Sequence, residues 1–166
     1  MKRITWASLL TLLAGLACTL SLSHGVDPFY TSTGEWDSTR FPLIKPYEAG
    51  ALRGTDDWSI TIPDEPTGTL LGYLSVEHVQ KIAVEDGVIL VYTPYEPRSS
   101  SNLRGLIIHW FVFVPSRHIQ TGFKDEGEFL GYVGKVGVSS IHWETPEAVN
   151  ERFVATGCLD WIPECQ

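Results

Sequence analysis

Cysteine is scarce in this chain, with three residues in 166. Cys18 lies in an apolar leader, and Cys158 and Cys165 stand close together with no histidine near them. Two thiolates without a neighbouring imidazole supply too few ligands for a closed zinc site, so no metal is expected. In an oxidising compartment the same two thiols would close a small C-terminal loop. A Cys158–Cys165 disulfide is therefore expected, against the alternative of two free thiols. Basic residues are also few: 12 Lys and Arg against 20 Asp and Glu, for a formal net charge of −8. Lys2 and Arg3 are the only charged residues among the first 25, so the remaining chain carries −10. A surface of that sign repels phosphates and argues against a nucleic-acid partner.

Long apolar runs are missing beyond the N-terminus. The stretch 106–114 has nine residues, interrupted by His109, and a helical membrane span needs about 20. Catalytic signatures are missing too. No two histidines have the spacing that sets both on one helix face, as in a zinc protease helix. The segment Gly137-Val138-Ser139-Ser140-Ile141 has the first glycine of a serine nucleophile elbow and lacks the second. Gly131-Tyr132-Val133-Gly134-Lys135-Val136 has a Gly-Lys pair without the Ser or Thr of a phosphate loop. Asp125-Glu126-Gly127-Glu128 lacks the alternating ligands of a calcium loop and reads as an acidic helix start. Asp56 and Asp57 are adjacent, and neighbours in extended chain point opposite ways, so they make no acid–base pair. No catalytic residue and no cofactor is expected.

What is present begins with the leader. Lys2-Arg3 precedes an uncharged run from Ile4 to Ser23 that is rich in leucine. A basic start followed by an apolar stretch is the pattern read by export machinery. Three outcomes fit residues 1–25. Ser23-His24-Gly25 places small residues for cleavage before Val26. Ala14-Gly15-Leu16-Ala17-Cys18 resembles a lipoprotein signal, which makes Cys18 a lipidation candidate. Retention as a helix would span about 30 Å, enough to anchor the chain. Each outcome locates the protein in the cell envelope, periplasmic or extracytoplasmic, with the membrane met through the N-terminal segment.

Residues 26–57 mix aromatics with proline and glycine and read as an irregular lead-in packed on the domain. Residues 58–166 then form one globular domain. Trp58, Ile60 and Ile62 alternate with Ser59 and Thr61, which predicts a half-buried strand stopped by Pro63. Residues 64–68 read as a turn. Asp86-Gly87 between two apolar runs predicts a tight hairpin, with Val84 opposite Ile89 and Ile82 opposite Val91. Residues 94–104 form a polar loop open to proteolysis. The stretch 106–114 predicts a central strand buried on both faces, in which His109 is a hydrogen-bonded core group. Residues 117–123 predict an edge strand. Acids from Asp125 and a terminal Gly137 bound one helix; Thr145, Pro146 and Gly157 bound a second. The class is α+β, an antiparallel sheet of about four to five strands with one or two short C-terminal helices, preceded by an N-terminal apolar export or anchor helix.

Tryptophan carries the binding signal. Trp58 and Trp110 fall in predicted strands and read as core. Trp36, Trp143 and Trp161 fall outside them and are the surface candidates for a partner. The pattern from Ile82 to Phe153, with its Asp-Gly-Val-Ile-Leu-Val strand, Trp-Phe-Val-Phe-Val-Pro strand and Phe129-Leu130-x-Tyr132 helix, resembles several families of small bacterial envelope proteins and lipoproteins. The resemblance implies an envelope α+β domain and carries no activity. The expected role is a non-enzymatic interaction or accessory module that meets another envelope protein. Two alternatives stay open: an envelope hydrolase with a site assembled from distant residues, and an inhibitor or immunity-like protein with a basic partner. A deep polar pocket joining His118 or His142 to a carboxylate would favour the hydrolase. A flat aromatic patch would favour binding.

Overall fold

The computed structural model describes residues 27–62, 75–94 and 108–165. The expectations for the leader, with Cys18 and the cut before Val26, lie outside these residues. So do the turn at 64–68 and most of the loop at 94–104.

Among the described residues eight strands form two four-stranded antiparallel sheets, each an up-and-down meander in chain order. The first holds β1 (Ser38–Pro42), β2 (Glu48–Leu52), β3 (Ser59–Thr61) and β4 (Ser75–Val76). The second holds β5 (Lys81–Glu85), β6 (Val88–Tyr92), β7 (Trp110–Val114) and β8 (Ile119–Phe123). Helices α1 (Glu126–Val136) and α2 (Pro146–Thr156) follow. The α+β class and the two C-terminal helices are as expected; the strand count is larger, and there are two sheets where one was expected.

Two of the three extra strands come from the segment read as irregular, and the third, β4, is a two-residue strand too short to show a side-chain period. β1 and β2 form a hairpin in which Ser38 faces Leu52 and Pro42 faces Glu48. Pro42 sits at the last paired position and Pro46 in the turn, after a cis Lys45–Pro46 bond. Neither proline interrupts a ladder mid-strand, so the breaker signal marks the ends of strands here. The inward side chains of β2 are only Ala49 and Ala51, which gives hydrophobic alternation little amplitude.

The second sheet follows its sequence closely. Asp86 and Gly87 have φ of 51° and 78°, the paired left-handed conformation of a two-residue hairpin turn. Ile82 faces Val91 and Val84 faces Ile89. β7 is buried on both faces: Phe111 and Phe113 point into the core between the sheets, Val112 and Val114 towards α1. β8 is the last strand of its sheet. The Asp125 carboxylate accepts from the Glu128 N–H at 3.1 Å and Gly137 closes α1 with φ 106°. Thr145 caps α2 through the Ala148 N–H, Pro146 opens it and Gly157 ends it.

Three attachments weld the halves. The chain before α2 returns along β5, where Ile82 and Glu144 exchange two 2.9 Å backbone bonds. α2 then lies against β1, burying Val149 and Phe153 in the inter-sheet core. The sandwich side between β5 and β1 is thereby covered, which protects both strand edges. In the β1–β2 turn, Tyr47 packs on Phe113 at 4.9 Å, and its hydroxyl accepts from the buried Gln120 amide at 2.8 Å. Burial pushes the Tyr47 phenol above its ordinary value, and the Gln120 bond opposes that shift. Cys158 and Cys165 form a disulfide whose loop buries Leu159 and Ile162 in the same core.

Candidate functional site

The two sheets differ in how their faces are used. The second is covered on both sides, by the first sheet and by α1. The first buries one face through Phe41, Ala49, Ala51, Ile60 and Val76. Strand alternation sends the intervening residues to its other face. Among the described residues the lead-in covers the β1 end of that face, where Phe29 and Ser32 meet Arg40, and beside it the face holds an open cleft of about 470 Å³.

The register explains the cleft. Arg40, Gly50 and Ser59 lie side by side across β1, β2 and β3. Gly50 and Ser59 are short, so they form a low floor between longer side chains. Arg40 and Glu48 rise on one side, Asp57 and Glu77 on the other. Serines 38 and 75 complete the polar lining. A Cβ at Gly50 would meet nothing nearer than the Thr39 carbonyl at 3.7 Å, so the gap belongs to the cleft and is not required by backbone packing.

The charges are unequal. The Arg40 guanidinium pairs with Glu48 at 2.6 Å. It also donates to the Ser32 and Phe29 carbonyls at 3.0 and 3.1 Å and lies over the Phe29 ring. Arg40 therefore ties the lead-in to β1, and its charge is matched by Glu48. Asp57 and Glu77 remain as excess negative charge. Asp57 contacts His78 Nδ1 at 2.8 Å, a charged pair only when the imidazole is protonated. Glu48 and Asp57 are 42% and 59% exposed, so the acidic rim faces water.

Of the three surface tryptophans proposed from the sequence, Trp36 is 83% exposed. It lies two residues before Ser38, at the end of the hairpin where Leu52, 65% exposed, pairs with Ser38. Both Ser38 and Leu52 line the cleft, and Trp36 is two residues before it in the chain, in the turn that leads into β1. Glu35 and Asp37 flank it and are exposed. Trp143 packs against Trp110 and Phe129 at 6.0 and 6.2 Å and is half-buried. Trp161 is also half-buried and donates its indole N–H to the Pro42 carbonyl at 3.0 Å. Those two rings pack against the cores on either side of the second sheet.

The histidines are dispersed. His109 precedes β7 and is half-buried, with Nδ1 3.0 Å from the Thr93 carbonyl, so it is hydrogen-bonded as expected but less enclosed. His142 meets Glu85 at 2.8 Å on an exposed surface where its side chain is 78% accessible. His118 occupies a left-handed position at the end of the turn after β7. Among the described residues no group of three or more His, Cys, Asp or Glu could hold a metal ion. No helix among them is long and apolar enough to cross a membrane.

Sequence reasoning missed the cleft because its residues are scattered over 40 positions in chain order, from Ser38 to Glu77. One signal was present: Glu48, Gly50 and Leu52 alternate with two alanines, a period-two pattern with a weak apolar side. Comparison with family models, with curated proteins and with solved structures finds no match.

Proposed function

We propose that this protein is a non-enzymatic binding module of the cell envelope, and that it meets a partner protein through the outer face of its first sheet. The observation that carries the reading is the asymmetry between the sheets. Among the described residues one has both faces covered, and the other holds an open polar cleft lined by exposed Leu52, with exposed Trp36 two residues before the cleft residue Ser38. An exposed tryptophan beside an aliphatic side chain offers a large apolar anchor ringed by polar groups, the composition of an interface centre. The basic, apolar leader supports the envelope location, and the Cys158–Cys165 bond is consistent with an oxidising compartment.

A second reading has one observation in its favour. The Asp57–His78 pair stands at the cleft with Ser59 and Ser75 nearby, the residue types of a hydrolase. Against it, the Ser59 hydroxyl donates to the Gly50 carbonyl at 3.4 Å and is not held by an imidazole.

In-cell photo-cross-linking tests the binding reading. A photoreactive residue at position 36 is compared with one at position 130, where Leu130 is 49% exposed on α1. The expected result is one stoichiometric partner captured from position 36 and not from position 130. No capture at 36, from exported and folded protein, refutes it. Turnover of ester or peptide substrates abolished by His78→Ala would establish the hydrolase instead.

A further inference from the structure

We infer that the partner presents a lysine- or arginine-bearing segment to the cleft, so that a basic side chain lies over Gly50 and Ser59 between Glu48 and the Asp57–Glu77 side. This rests on the binding reading of the same face and names the chemistry of what binds there.

Charge complementarity argues for it. Arg40, the cation of the cleft, is already matched by Glu48 and held by two backbone carbonyls. An arriving cation therefore meets the excess carboxylates of Asp57 and Glu77. Trp36 adds an exposed ring near the Ser38 end of the cleft, with Glu35 and Asp37 exposed on either side of it in the chain and the Arg53 guanidinium bonded to the Glu35 carbonyl at 2.9 Å. An arginine suits such a place because its planar guanidinium stacks on aromatic faces and bonds carboxylates with two parallel N–H groups.

Geometry argues for a protein segment over a small cation. The rim carboxylates are open to water, and in that setting an isolated ion pair contributes little. A macromolecular partner excludes water as its surrounding surface closes over the rim, which strengthens each charge contact. The short side chains at Gly50 and Ser59 leave depth for one long side chain at the centre of the sheet.

The test uses the full-length protein and a fluorescein-labelled peptide of alternating arginine and serine, followed by anisotropy at fixed ionic strength. Gly50→Val fills the floor at an ordinary φ with its nearest neighbour at 3.7 Å, and so leaves the fold in place. The expected loss of affinity is about tenfold for Gly50→Val and at least as much for Asp57→Asn with Glu77→Gln. Glu126→Gln with Glu128→Gln removes the same charge from exposed positions on α1 and is expected to change affinity less than about twofold. Equal loss from the two charge pairs overturns the inference, because the peptide would then sense net charge alone. Displacement of the peptide by calcium at constant ionic strength also overturns it, in favour of a cation site. If position 36 captures a partner while peptide binding ignores Gly50→Val, the face is the interface and the basic class is wrong. If position 36 captures nothing, the binding reading itself has failed.

Discussion

Glu144 shows how one side chain can serve two structures at once. Its backbone pairs with Ile82 at the edge of β5, and its carboxylate receives both terminal nitrogens of Arg152 on α2, one at 3.0 Å. Arg152 holds that carboxyl below its ordinary value of 4.5, and Glu144 in turn raises Arg152. A carboxylate whose folded pKa is lowered stabilises the protein above its unfolded value, and that contribution is lost as pH falls through the folded value. Both side chains are about a third exposed, so solvent screening keeps the pair below about 1 kcal/mol. Glu144→Gln should lower stability by that amount at neutral pH, and the gap from the native protein should close as pH falls below 4.5. Urea unfolding at a series of pH values measures this. A gap that stays constant with pH would mean that the carboxylate charge is not what Arg152 contributes. At the same scale, Trp36, Trp143 and Trp161 were equivalent by sequence position and are not equivalent in space. What separates them is whether a neighbouring element reaches the ring, and residue type does not decide that.

The elements divide by how strongly local chemistry dictates them. The β5–β6 hairpin is set by Asp86-Gly87, since both positions need positive φ and glycine adopts it without strain. A Cβ at Gly87 meets nothing within 4 Å, so Gly87→Ala tests backbone conformation alone. The expected cost is about 1–2 kcal/mol, read as a shift in denaturation midpoint with unchanged slope. No shift would mean that tertiary packing and not the turn holds this hairpin. Both helices declare themselves by caps: a side-chain oxygen before the first turn and a glycine after the last. The β1–β2 hairpin lacks such a signal. Its turn contains a lysine, a proline and a tyrosine, and its stability comes from Tyr47 reaching Phe113 and Gln120 in the other sheet. A hairpin held by distant contacts cannot be read from a local window.

At the scale of the whole molecule, the core between the sheets is one body. Phe41 and Ile60 of the first sheet, Ile89, Phe111 and Phe113 of the second, Phe153 of α2 and Leu159 of the disulfide loop belong to one buried cluster. Neither sheet keeps this core without the other, so the described domain should unfold in one cooperative step. Tryptophan fluorescence and far-ultraviolet circular dichroism should give coincident denaturation curves. Two separated transitions would show that the first sheet, with its lead-in, is an independent unit. The unequal covering of the two sheets also belongs to this scale. α1 packs on the second sheet through Phe129 and Val133, and α2 sits at the side of the sandwich, so among the described residues neither helix covers the outer face of the first sheet.

The sequence by itself determined the α+β class, the tight hairpin, the doubly buried β7, the edge strand, both helices with their caps, and the nearness of Cys158 to Cys165. Each is a local matter: a side-chain period, a turn dipeptide, a capping group or a short loop between thiols. Tertiary structure alone decided that there are two sheets, because β1 and β2 have weak apolar alternation and depend on partners far along the chain. It also decided the cleft. Arg40, Gly50 and Ser59 become neighbours only through strand pairing, which is a property of register and cannot be seen in residue order.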